Sequence, residues 1–454
     1  MSDRLWFGQA LLPGGWARDV GITIEAGRIA RIDTGVERTK DDEAYTVAVP
    51  GMPNLHSHAF QRAMAGLTET RGPSNDSFWT WRDLMYRFVS NLDPDQFEAI
   101  AAMAFVEMLE SGFTRVGEFH YLHHDANGAA YGNRAEMSAR VAAAAKQTGI
   151  ALTLLPVFYA HSGFGGQEPK PGQRRFIHDI DGFAKLLDGC RDAVSGLDDA
   201  IVGVAPHSLR AVTPEELARV AALAGGAPVH IHIAEQTGEV DDCVAWSGQR
   251  PVEWLLANQA VNERWCLVHA THMTERETHD MAHSGAIAGL CPITEANLGD
   301  GVFPAVDFRA AGGRFGIGSD SNVLIDAAEE LRLLEYAQRL TRRERNVMAR
   351  AEGASTGATL YRDALRGGAQ ALGIESGLIP GHPADIVCLN SNSPALAGRS
   401  GDALIDSWIF AARGGAVDCV WRRGRKIVRQ GRHIARDSIA TRYSGTLARV
   451  LAFA

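Results

Sequence analysis

Lysine is nearly absent from this chain. Only five of its 454 residues are lysine: Lys40, Lys146, Lys170, Lys185 and Lys426. Basic charge is carried by arginine, and acids outnumber it, with 45 Lys and Arg against 54 Asp and Glu and a formal charge of −9. Such a balance argues against nucleic acid, whose phosphates demand a basic face. An anionic small molecule is compatible with it where arginine is placed locally. Cysteine is scarce too. The six cysteines, at 190, 243, 266, 291, 388 and 419, are scattered and never spaced Cys-x-x-Cys. They read as reduced thiols filling the core of a cytoplasmic protein. No stretch approaches the ~20 apolar residues of a membrane helix. The start, MSDRLWFGQALLPGG, lacks a basic end followed by an apolar core, so no secretory leader is expected there. Solenoid repeats and low-complexity segments are missing as well.

What is present falls into two rhythms. The first ~50 residues and the last ~75 read as short strands separated by glycine turns, such as VGITIEAG and AVDCVWRRG. Neither end is long enough for a large core of its own, so both are expected to build one small β domain. The middle alternates buried-strand runs with amphipathic helices. The runs are AVPGMPNLHSH, TRVGEFHY, ALTLLPVFYAH, IVGVAPHSLR, PVHIHIAEQ, CLVHATH, AIAGLCPIT and RFGIGSDSN. Continuous apolar strands of this kind belong to parallel sheets. Helices are expected from Asp93-Pro94 to Gly112, from Thr213 to Gly225-Gly226 and onward from Asp326. The fold class predicted is α/β, a (β/α)8 TIM-like barrel over 50–375 with the small domain at 1–49 and 376–454. An open doubly wound sheet is the alternative. It would normally carry a glycine-rich phosphate turn after the first strand, and PGMPNLHSH is not one.

Chemistry gathers at the carboxyl ends of the predicted strands, where barrels of this class keep their active sites. Strand one ends in His56-Ser57-His58, strand two in Glu118, His120 and Tyr121, strand four in His207 and Arg210. Strand five supplies His230, His232 and Glu235, strand six His269, with His272 beyond it, and strand eight Asp320. Side chains of a strand alternate, so His-x-His puts two imidazoles on one face, a natural grip on a metal. With His232 and Asp320 the set suits zinc or ferrous iron. His230 lies two residues deeper and reads as core. Glu118 is the one acid nearby, and packing is its expected role. Without a lysine at any strand end to bridge two ions, one metal is expected. Glu235 stands three residues past His232, where a carboxylate can shuttle protons beside a metal without binding it. His269 could polarise the attacked group or orient the bound water.

The motifs PGMPNLHSH, HIHIAEQ, LVHATH and GIGSDSN resemble the amidohydrolase superfamily, in its deaminase branch. The resemblance spans essentially the whole chain, including GLIPGHPADIVCLN and VDCVWRRGRKIVRQG near its end. It implies the barrel, with a β-sandwich made from both ends. It implies that His56, His58, His232 and Asp320 hold the metal, Glu235 shuttles protons, and His269 lies over the leaving or attacked group. Asp320 would also take a proton from water. Within the branch, LHSHAFQRAMAGLTE, SFWTWRDLMYR, GEFHYLHH and APHSLRAVTP are most similar to enzymes of histidine degradation. Those hydrolyse N-formimidoyl-L-glutamate to N-formyl-L-glutamate and ammonia. On that resemblance Gln61, Arg82, Tyr121, His207 and Arg210 are expected to touch substrate, the two arginines each taking a carboxylate by paired hydrogen bonds.

Two rival expectations stand beside this one. A deaminase of guanine, cytosine or a nucleoside would share the metal set, but its pocket would offer stacking aromatics and amide readers instead of paired arginines. A non-catalytic scaffold barrel would have lost metal ligands, and all are present. A homodimer is expected only as the commonest assembly of soluble enzymes.

Overall fold

The computed structural model describes residues 3–72 and 78–452. Ser77, which opens the SFWTWRDLMYR motif, lies outside the described residues. Helices and strands are mixed throughout. The predicted central strands are all present: Met52–Ser57, Phe113–His120, Ala151–Phe158, Val229–Ile233, Trp265–His269, Ile287–Leu290 and Arg314–Ile317, with the fourth broken into Ile201–Val202 and Ala205–Pro206. Each pairs in parallel with its neighbours in sequence. The fourth and fifth join through Val204 with Val229 and Ser208 with His232, and the eighth returns to the first through Ser57 with Asp320. This last seam is the link that a closed barrel requires.

That seam matters because both of its sides carry site residues. His58 N–H donates to the Asp320 carbonyl (2.9 Å) and Asp320 N–H to the His56 carbonyl (3.0 Å). The approach is close enough that a Cβ on Gly318 would sit 2.7 Å from the His56 carbonyl oxygen. Asn322 locks the join. Its Nδ2 donates to Ser57 Oγ, the His58 carbonyl and the Asp320 carbonyl, each at 3.1 Å. Its Oδ1 accepts from Ser319 Oγ (2.6 Å), which also receives Asn54 Nδ2 at 2.6 Å.

The helices follow their sequence signals. Pro94–Ser111 starts with a reciprocal Asp93–Gln96 cap and stops at left-handed Gly112. Pro214–Leu223 is capped by Thr213, and Ala327–Arg342 by Asp326. These caps satisfy amide groups that an α-helix leaves free at its start.

Both chain ends join one eight-stranded mixed sheet, in which Glu43–Pro50 pairs antiparallel with Ile386–Leu389. The sheet differs from expectation in two ways. Its first strands are long, Asp3–Leu12 and Gly15–Glu25, and the C-terminal part also holds two helices, Asp402–Phe410 and Arg436–Leu451. The last helix buries Ile439, Thr446 and Val450, and Arg442 pairs with Glu98 at 2.7 Å. Its apolar face is narrow, which hides it beside the strong strand signals before it. All six cysteines are free and buried, and no described helix is long and apolar enough to cross a membrane.

Asn322→Ala should destabilise the fold by about 1–3 kcal/mol, because three seam acceptors lose their donor. Chemical denaturation at fixed metal content checks this; an unchanged midpoint and slope would show that the lock is dispensable.

Candidate metal centre and cleft

Three buried histidines and one buried aspartate meet at the carboxyl ends of the parallel strands. One ligand atom from each of His56, His58, His232 and Asp320 lies within 4.8 Å of the others. His56 Nε2 is 3.2 Å from His58 Nε2 and 3.0 Å from His232 Nε2. Asp320 Oδ1 is 3.5 Å from His56 and 3.3 Å from His58. Two of the rings are oriented from behind. His58 Nδ1 faces the Phe119 carbonyl (2.9 Å) and His232 Nδ1 the His207 carbonyl (3.1 Å). A carbonyl only accepts, so both Nδ1 atoms carry the proton and both Nε2 lone pairs point inward. Burial, with the charge of neighbouring His56, pulls His58 down to about 3, and burial pulls His56 and His232 down as well. Neutral imidazoles crowded lone pair against lone pair, beside a carboxylate, form a donor set that fits a divalent cation.

Beside this set stands a second, charged group. His269 Nδ1 is 3.2 Å from Glu295 Oε1, and its Nε2 is 3.8 Å from both Glu235 Oε1 and Asp320 Oδ2. Burial alone would lower His269; the Glu235 charge, the Glu295 hydrogen bond and Asp320 together lift it to about 10. Burial pushes Glu235 above the usual carboxylate range, and Asp320 adds to this against the pull of His269 and Arg210. Burial would raise Asp320 too, but the hydrogen bond and charge of His56, then His269 and His58, hold it low. His269 and Asp320 both adopt left-handed backbone, at φ 67° and 44°, a conformation most residues avoid and one often kept at functional positions.

The set opens into a cleft lined by Gln61, Arg82, Tyr121, His207, Arg210, Glu235, His269 and Asp320. All five expected substrate contacts therefore face one space with the expected catalytic groups. Gln61 Nε2 donates to Tyr121 Oη at 2.7 Å, and burial, with Arg210 nearby, holds His207 neutral. Among the described residues neither Arg82 nor Arg210 forms an ion pair, and the Nε of each is buried without a hydrogen-bond partner. What holds them is aromatic. The Trp79 ring lies 4.5 Å from the Arg82 guanidinium and 5.4 Å from that of Arg210, a cation–π arrangement.

Other candidates fall elsewhere. His230 Nε2 bonds the Ala371 carbonyl (2.7 Å), a core position. Glu118, raised to about 8 by burial, accepts from Ala59 N–H (2.7 Å) and braces the turn after His58. His120 is buried against Phe97. Sequence reasoning missed Glu295, Trp79, Tyr159, Phe176 and Arg175. Arg175 holds the Val89 carbonyl by Nη1, the Leu92 carbonyl by Nη2 (2.9 Å) and the His124 carbonyl by Nε (2.8 Å), tying the Arg82 helix to the cleft wall. Glu295 could have been found from the polar TEAN after strand seven. Nothing in the spacing around Arg175 marks it.

Residues 47–427 match the amidohydrolase family, and residues 5–45 match the N-terminal domain of formimidoylglutamate deiminase HutF. The chain is 53% identical over 448 residues to formimidoylglutamate deiminase of Pseudomonas aeruginosa, covering 98% of each. It is 28% identical to the 5-methylthioadenosine/S-adenosylhomocysteine deaminase of Natronomonas pharaonis, covering 90% of this chain and 88% of that one. A crystal structure of an amidohydrolase from Brucella melitensis is 57% identical with a TM-score of 0.96, covering 99% of this chain and 100% of that one.

Elemental analysis of the purified protein should find about one divalent metal per chain. His232→Ala and Asp320→Ala should lose it, since each removes a ligand atom. Full occupancy in either variant would remove that residue from the set.

Proposed function

The chain belongs to the amidohydrolase family, and from that premise we propose that its cleft hydrolyses N-formimidoyl-L-glutamate to N-formyl-L-glutamate and ammonia, a step of histidine degradation. The observation that carries the reading within this chain is the pair of unpaired arginines facing the metal set across one cleft. The 53% identity to a formimidoylglutamate deiminase over 98% of both chains agrees with it. A nucleobase has no carboxylates to take such a pair, which disfavours the guanine- or cytosine-type alternative. We read the closed strand set as a (β/α)8 TIM-like barrel over 50–375, and the sheet from 1–49 and 376–454 as the β-sandwich domain. A cytoplasmic homodimer completes the reading.

His56, His58, His232 and Asp320 would hold the cation, zinc in our reading with iron as the alternative. When bound it supplies Lewis acidity and an activated water near neutral pH. The protein groups do the rest. Arg82 and Arg210 each take one substrate carboxylate by charge-assisted hydrogen bonds. Gln61, Tyr121 and His207 complete the polar wall and orient the formimino group. Glu235 accepts a proton from the attacking water, with the low-lying Asp320 carboxylate as a second acceptor. His269, held cationic by its three carboxylate neighbours, donates a hydrogen bond to the heteroatom on which charge develops in the tetrahedral intermediate. Glu235 then passes a proton to the departing nitrogen, which leaves as ammonia. Water adds once and one C–N bond breaks, leaving the formyl group on the glutamate nitrogen.

Four outcomes test this. The enzyme should form one N-formyl-L-glutamate for each ammonia released, and Arg82→Met or Arg210→Met should lower kcat/KM about 10–200-fold, the effect of losing a ~1.5–3 kcal/mol charged hydrogen bond. Metal content should not change; normal kcat/KM in both variants would defeat the carboxylate assignment. Glu235→Gln should keep the metal and lose ~10²–10⁴-fold in turnover, whereas a few-fold loss would refute the shuttle. Only the ionised Glu235 accepts a proton, so kcat/KM should fall as pH drops through its raised pKa. That acid limb is expected above ~4.3, the ordinary glutamate value, and a limb at or below it would contradict the burial argument.

A further inference from the structure

One thiol beside the reaction centre has no part in this chemistry. Cys291 follows the strand Ile287–Leu290, starts the helix Pro292–Leu298 and is fully buried. Its N–H donates to Glu295 Oε1 at 2.9 Å, the same oxygen that faces His269. One ligand atom from each of His269, Cys291 and Asp320 lies within 4.8 Å of the other two, and all three side chains are more than nine-tenths buried. The Asp320 carboxylate is divided between the two groups. Oδ1 faces His56 and His58, and Oδ2 stands 3.8 Å from His269 Nε2.

We propose that His269, Cys291 and Asp320 form a second, weaker cation site that takes thiophilic divalent ions, and that filling it stops turnover. The proposal rests on the reading of His269 and Asp320 given above. Thiolate, imidazole and carboxylate together bind zinc and favour softer ions more than the sulfur-free histidine set does. The site is weaker for two reasons. It has three protein ligands instead of four. Metal–nitrogen bonds of ~2.0–2.1 Å and metal–sulfur bonds of ~2.3 Å also require its atoms to draw together from their present separations. Binding converts Cys–SH, protonated His269 and M²⁺ into a cation held by the thiolate and the neutral imidazole, with two H⁺ released and no change of oxidation state. A cation there would occupy His269 and bridge Asp320, removing a hydrogen-bond donor and a proton acceptor from the reaction at once.

The test uses the enzyme carrying its one tight equivalent of metal, titrated with Cd²⁺. The parent should lose activity as a sulfur-to-cadmium charge-transfer absorption grows in the ultraviolet, both following one binding curve. Cys291→Ser and Cys291→Ala should start with near-parent activity, lack the absorption, and need about 10–100-fold more Cd²⁺ for half-inhibition, at least the effect of losing a supporting group around a metal. A parent inhibited without the absorption, or variants inhibited at the parent's concentration, would overturn the second site. Loss of basal activity in one Cys291 variant is judged against the other; loss in both would show that the thiol serves the normal reaction and would also overturn the proposal. The reading of the main site fails separately, through the His232 and Asp320 variants, which need no Cd²⁺.

Discussion

Three imidazole nitrogens and a carboxylate oxygen are crowded within 4.8 Å of one another, two of the imidazoles with their lone pairs turned inward. That conflict is the constraint on which the rest of the site depends. The strands that carry the residues impose it. His56 and His58 leave the first strand, His232 the fifth, and Asp320 follows the eighth across a seam clamped by Asn322. Carbonyls of Phe119 and His207 turn two of the lone pairs inward. A cation relieves the repulsion, and the structure around it is arranged so that little else can.

The same logic of unmet charge runs outward. His269 draws its positive charge from three surrounding carboxylates, so a proton is stored next to Glu235, whose own burial brings it closer to neutrality. In the same cleft, among the described residues, the Arg82 and Arg210 guanidinium groups form no ion pair and pack against the Trp79 ring, and Arg175 anchors the helix that carries Arg82. In the function proposed above, the arginines would take the substrate carboxylates and the metal side its reactive C=N group. Preorganised charge of this kind lowers a barrier because its reorganisation is already complete.

Much of this was legible from residues. His-x-His at 56–58, His232 with Glu235, and Asp320 each follow a readable apolar strand; period-two alternation puts His56 and His58 on one face, and the shared carboxyl-end position and the family resemblance group the others with them. Asp93-Pro94 and Thr213-Pro214 announced their helices through cap chemistry. Arginine function was less legible. Forty of the 45 basic residues are arginine, and nothing in composition separates Arg82 and Arg210 from those that make surface ion pairs; resemblance singled them out. Trp79, Glu295 and Arg175 act through partners far away in sequence, and such contacts leave no local period. The final helix went unseen because its buried face is only three residues wide.

The central claim is that one cation and two arginines lining one cleft select a formimino dicarboxylate. The most direct measurement is kcat/KM for ammonia release from N-formimidoyl-L-glutamate, N-formimidoyl-L-aspartate, N-formimidoyl-glycine and guanine, on one preparation of known metal content. The account predicts the glutamate compound first, the aspartate compound weaker, the glycine compound very poor and guanine inert. Equal rates on the glycine and glutamate compounds, or faster release from guanine, would contradict it.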